Sequence, residues 1–72
     1  MTADGLTPRQ RRVLELVGDG CANKEIAARL GISEPGVRKH LESLFRRYRV
    51  TNRTALVRAA VQSGDLTIGP RA

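Results

Sequence analysis

Apolar residues along this 72-residue chain recur at helical rather than alternating spacing, and breaks of glycine, proline and small polar residues divide the pattern into four segments. In the first, Val13, Leu14, Leu16 and Val17 fall with Gln10 on one side of a projection stepped at about 100° per residue, while Arg9, Arg12, Glu15 and Asp19 lie mostly off it. Thr7, Pro8 and Gln10 supply the start: a hydroxyl cap, a proline where the first turn needs no donor, and a side chain placed to close a capping box. Gly18-Asp19-Gly20 supplies the stop, because glycine turns easily to positive φ. The spacing predicts a helix over 8–18.

A second helix is predicted near 23–30, with Ile26, Ala27 and Leu30 on one face, Lys24 and Ala28 on the other, and Asn23 as its cap. Gly31-Ile32-Ser33 follows: glycine to end that helix, an apolar residue to tuck under the corner, and a serine to cap what comes next. Two helices joined by a short glycine-containing turn form the helix-turn-helix pattern. The third helix, near 34–49, has a buried stripe of Val37, Leu41, Leu44, Phe45 and Tyr48 and an opposite face of Arg38, Lys39, Glu42, Ser43, Arg46 and Arg49. Pro35 in its first turn costs little, since amides there have no partner inside the helix.

A fourth helix, near 53–63, starts at Asn52 as cap and stops at Gly64, with Leu56, Val57 and Ala60 inward. Its outer residues Thr54, Ala55, Arg58, Ala59 and Gln62, with Val61 at the rim, suit either close approach of the same helix from a second subunit or plain exposure to water. There is no internal repeat and no strand pattern. The fold class is therefore all-α, a four-helix helix-turn-helix domain over 6–64, with 1–5 expected to be a flexible N-terminus and 65–72 a frayed C-terminal tail.

Composition narrows the chemistry. So short a chain holds one domain with a thin core, and its single Cys21 and single His40 exclude a disulfide and any zinc-ligand set, so neither metal nor cofactor is expected. The N-terminus lacks the apolar stretch of a signal peptide and no run is long enough to span a membrane, which points to a soluble, cytoplasmic protein. Catalysis has no foothold. Gly18-Asp19-Gly20 lacks the strand, the third glycine and the Lys-Ser or Lys-Thr of a phosphate loop, Cys21 and His40 lie on different elements, and Asp4, Asp19 and Asp65 are scattered.

Charge adds a partner. Thirteen basic against seven acidic residues leave a net charge of +6, and from Arg38 to Arg58 the basic Arg38, Lys39, Arg46, Arg47, Arg49, Arg53 and Arg58 face only Glu42. Such a cluster favours a polyanion, although a basic face can also serve solubility alone. Arg38 or Lys39 can donate to guanine O6 and N7, and Glu42 can accept from cytosine N4. Lys24, Arg46, Arg47, Arg49 and Arg53 are candidates for phosphates, with the amides after Ser33 as neutral donors.

The opening LTPRQRRVL, the block NKEIAARLGIS, the Val37 and His40 of VRKH, and a closing VTNRT before a last helix stand together in order over nearly the whole chain. In this it resembles the LuxR-type helix-turn-helix domain of quorum-sensing regulators and two-component response regulators. The resemblance implies a reader made of the second and third helices, acting on double-stranded DNA to regulate transcription. It places Lys24 on the phosphate backbone, Arg38, Lys39 and Glu42 at bases, and His40 at a phosphate or in packing. It also gives the fourth helix a homodimer contact, through Thr54, Ala55, Arg58, Val61 and Gln62.

Some positions depart from the family pattern. Gly36 stands for the usual threonine, so a hydroxyl contact to phosphate is missing; Ala22 replaces the usual Ser or Thr, breaking a capping box with Glu25; Gln10 stands for Glu; and Tyr48 and Arg49 replace a common Leu and a Gly or Asn. A sigma-factor-like module working with RNA polymerase shares the EIAARLGIS-like block, but VTNRT and the fourth helix argue against it. A protein-interaction module using the basic face is the alternative outside nucleic-acid binding. Regulators of this type usually carry a sensor or receiver domain before the reader. With Met1 so close to Leu6, the chain is expected to be either an excised reader or a free-standing regulator with input from elsewhere.

Overall fold

A computed structural model of the chain describes residues 5–67. Among them are four helices, α1 (Pro8–Gly18), α2 (Asn23–Leu30), α3 (Glu34–Tyr48) and α4 (Arg53–Gln62), and no strand. The flexibility expected of 1–5 falls, but for Gly5, outside the described residues, as does that of 68–72.

α1 begins as its residues dictate: the Gln10 amide donates to Thr7 Oγ1 at 3.0 Å, and the Thr7 amide donates to Gln10 Oε1 at 3.2 Å. The reciprocal pair satisfies two amides that the helix leaves without partners. α3 is the centre of the fold, packing on each of the other three helices, while α4 packs on α3 and α1 but not on α2. The core joins Val13, Leu14, Leu16 and Val17 of α1 to Ile26 and Ala27 of α2, Val37, Leu41 and Leu44 of α3, and Leu56 and Ala60 of α4. Each fully buried Leu, Ile or Val in it is worth roughly 1.5–3 kcal/mol of water-to-interior transfer. No polar or charged residue among those described is buried, so the charged groups remain at the surface for other use.

Three details correct the sequence-based expectations. Asn23 does not cap α2: the cap position is Ala22, which makes no side-chain bond, and the Asn23 amide oxygen serves Arg53 instead. Arg49 does not extend the polar face of α3. The helix ends at Tyr48, and Arg49 takes the left-handed conformation at φ 58 and ψ 48, the only non-glycine with positive φ among the described residues. Its amide donates to the Arg46 carbonyl at 3.3 Å and that of Val50 to the Phe45 carbonyl at 3.0 Å, so a Schellman closure satisfies the last carbonyls.

The tail is the third. α4 ends at Gln62, one residue early, and Asp65 and Leu66 do not fray. Both their amides donate to the Ala60 carbonyl, at 2.9 and 3.1 Å, and Leu66 is only 8% exposed, lying where a Cβ on Gly18 would come within 2.8 Å of its Cδ2. The missing side chain of Gly18 is what makes room for it.

Candidate nucleic-acid interface

The turn between α2 and α3 is built from three local choices. Gly31 takes φ 69 and ψ 34 to end α2, Ile32 packs against the core, and Ser33 Oγ accepts from the Gly36 amide at 3.0 Å to start α3. A fourth element arrives from far along the chain: Arg9 Nη1 donates to the Leu30 carbonyl at 3.1 Å, placing a cation on the negative end of α2. Sequence reasoning put Arg9 merely off the core face; a partner 21 positions away leaves no local pattern to find.

On α3 the side chains of Arg38, Lys39, Glu42 and Arg46 are all exposed. At 3.6 residues per turn they span an arc of about 100° on the side away from Val37, Leu41 and Leu44. A helix of 15 residues is about 22 Å long and, with side chains, about as wide as the ~12 Å major groove. The stripe is also chemically idle. Three cations elsewhere in the domain are engaged, Arg12 with Glu15 at 3.2 Å, Arg29 with Glu25 at 3.1 Å and Arg9 with the Leu30 carbonyl at 3.1 Å. Among the described residues, the side chains of Arg38, Lys39, Glu42 and Arg46 hold no hydrogen bond or ion pair. Glu42 stays unpaired although Arg38 and Arg46 stand one turn to either side, so its carboxylate and their guanidinium groups remain available to a ligand.

The other phosphate candidates divide. Lys24 is exposed on the first turn of α2 and Ser33 is exposed at the turn, its oxygen used as a cap while its O–H is left to donate. His40 is half-buried on the flank of α3. Arg47 is exposed and lies 5.9 Å from the ring centre of Tyr48. Arg49 is exposed but off the helix stripe. Arg53 is half-buried and is tied into the domain: Nη1 donates to Asn23 Oδ1 at 2.6 Å and Nη2 to the Cys21 carbonyl, so two of its five N–H donors are already used.

On the far side, Thr54, Arg58, Val61 and Gln62 of α4 border a shallow groove completed by Val17, Gly20, Arg53 and Val57. Ala55, grouped with them by sequence, does not line it and is half-buried on another side of α4. Val61 is 40% exposed, the one large apolar side chain so open among those described.

A glycine-turned helix pair braced by two further helices, with an unpaired ionic stripe along the second of the pair, defines a helix-turn-helix DNA-binding domain. The family model for bacterial regulatory proteins of the luxR family matches residues 4–60. The chain belongs to that family. It is 48% identical over 58 residues to the response regulator Rre1 of Synechocystis sp., which covers 81% of this chain and 25% of that protein. To the transcriptional regulatory protein MctR of Rhizobium johnstonii it is 39% identical over 62 residues, 86% of this chain and 29% of the relative. The chain thus spans about a quarter of the length of these relatives. Among solved structures, the transcription factor GerE superposes with a TM-score of 0.80 at 29% identity, covering 86% of this chain and 92% of that one.

Proposed function

We propose that this domain binds double-stranded DNA sequence-specifically, as the reader of a bacterial transcription regulator acting in the cytoplasm. The observation that carries the reading is the exposed, unpaired stripe of Arg38, Lys39, Glu42 and Arg46 on α3. Arg38 and Lys39 read guanine O6 and N7 and Glu42 accepts from cytosine N4, while Lys24, Ser33, His40, Arg46, Arg47 and Arg49 hold the phosphates. Two copies bind together, pairing through the α4 groove bordered by Thr54, Arg58, Val61 and Gln62, on half-sites about 10 base pairs apart.

The test is selection of bound duplexes from random DNA, followed by titration of the recovered site at two salt concentrations. Affinity should fall by about 0.9 log units per log unit of salt for each phosphate neutralised. Recovery of no preferred sequence, or an affinity indifferent to salt, would overturn the reading and favour a protein partner for the basic face.

A further inference from the structure

The first turn of α2 lacks a side-chain cap, although Ile26 at its end is buried in the core. Its cap position is Ala22, which offers no side-chain acceptor, and the next residue, Asn23, turns its amide away from the helix. The side chain that bonds to the start of this turn is that of Arg53, the first residue of α4, 30 positions along the chain. Its guanidinium takes the Asn23 side chain with one nitrogen and the Cys21 carbonyl with the other. Because α4 and α2 do not pack on each other, this clamp is the direct link between them among the described residues. A guanidinium held at two points fixes angle as well as distance, which a single ammonium cannot do. Arg53 is half-buried, so its bonds are less exposed to competing water and salt than a surface pair.

The residue after Asn23 is Lys24, exposed and with no bond of its own among the described residues. Arg53 also borders two grooves at once, one beside α3 with Arg38 and Glu42, the other on α4 with Val57 and Val61. It therefore stands between the reading face and the pairing face.

We propose that Arg53 is a positioning residue, which touches no DNA and sets the first turn of α2 so that Lys24 meets the phosphate backbone in the register that α3 requires. This rests on the DNA-binding reading above.

The experiment is a pair of double-mutant cycles on the intact chain, using a duplex selected from random DNA by the wild-type domain. Arg53→Met keeps the apolar stem and removes the fork. In the wild type, Lys24→Ala should weaken binding about five- to tenfold and lower the salt slope by about 0.9. On the Arg53→Met background, Lys24→Ala should cost less than about twofold, and the double variant should lose no more slope than either single one. Arg38→Ala should keep its full cost on both backgrounds, which a general loss of folding would not allow. If Lys24→Ala costs the same with and without Arg53, and the slope losses add, Arg53 is itself a phosphate contact and the proposal is overturned. Should Arg53→Met not fold by circular dichroism, Asn23→Ala takes its place, because it removes the acceptor and leaves the cation: it should reduce the cost of Lys24→Ala, and an undiminished cost would be fatal. A wild-type domain that selects no duplex overturns the DNA reading itself, and with it the role given to Lys24.

Discussion

The Tyr48 hydroxyl donates to Asp65 Oδ2 at 2.5 Å, fastening the segment after α4 to the last turn of α3. Ser63 Oγ donates to the same carboxylate oxygen at 3.0 Å. Burial, and then the neighbouring Asp65 carboxylate, push the Tyr48 hydroxyl above its ordinary value of 10.0.

That shift has a defined sign. The unfolded chain loses its tyrosine proton first, so the stabilisation is complete below about pH 10 and is lost as pH rises through the higher folded value. Tyr48→Phe should cost about 1 kcal/mol near neutral pH, less than a fully buried bond to a charged acceptor because the site is partly exposed. Thermal melts of both proteins should converge as pH is raised from about 9 to 11. Parallel melting curves throughout that range would remove Tyr48 as the cause.

Arg38→Ala should lose about 1–3 kcal/mol concentrated at one base pair, whereas Lys24→Ala should weaken all sequences about equally. A binding assay over a library of sites separates the two. A uniform loss for Arg38→Ala, with base preference intact, would show that it is not a reader.

Arg49→Gly should act in opposite directions on two readouts. Relief of a left-handed non-glycine residue should stabilise the domain by about 0.5–1 kcal/mol, read as a raised melting temperature. If Arg49 holds a phosphate, the salt slope should fall by about 0.9 in the same variant. An unchanged slope would strike it from the contact set and leave the stability effect standing.

Val61→Asp should leave the fold within about 0.5 kcal/mol of the parent, since the side chain is already open to solvent. On DNA it should convert a two-half-site footprint into one, by placing like charges face to face across the α4 groove. A full footprint from this variant would locate pairing elsewhere.

Signals that are local in sequence proved easy to read. The Thr7 and Gln10 pair, the Gly31 turn and the Ser33 and Asn52 caps each act within a few residues, and all four formed as expected. The misreadings have partners far away. Asn23 looked like a cap because its true partner, Arg53, comes from another helix. Asp65 and Leu66 looked like tail because the hydroxyl of Tyr48 and the bare Cα of Gly18, which receive them, cannot be aligned from periodicity. For Arg49 a signal existed: the common glycine or asparagine of the resembling family at that place is the mark of a left-handed residue. The charge pattern outweighed it. The α3 stripe was legible by position, but whether its charges paired with one another depended on side-chain geometry that spacing does not specify.

On the DNA-binding reading proposed above, Glu42 would give the cationic stripe a means of rejection. A surface made wholly of arginine and lysine would settle on any stretch of duplex with similar ease. One carboxylate amid them is repelled by phosphate oxygens and by the acceptor-rich edge of guanine, and finds relief only where an amino group points outward. In that reading the domain's grip on wrong addresses would be loosened, and it would move on from them quickly.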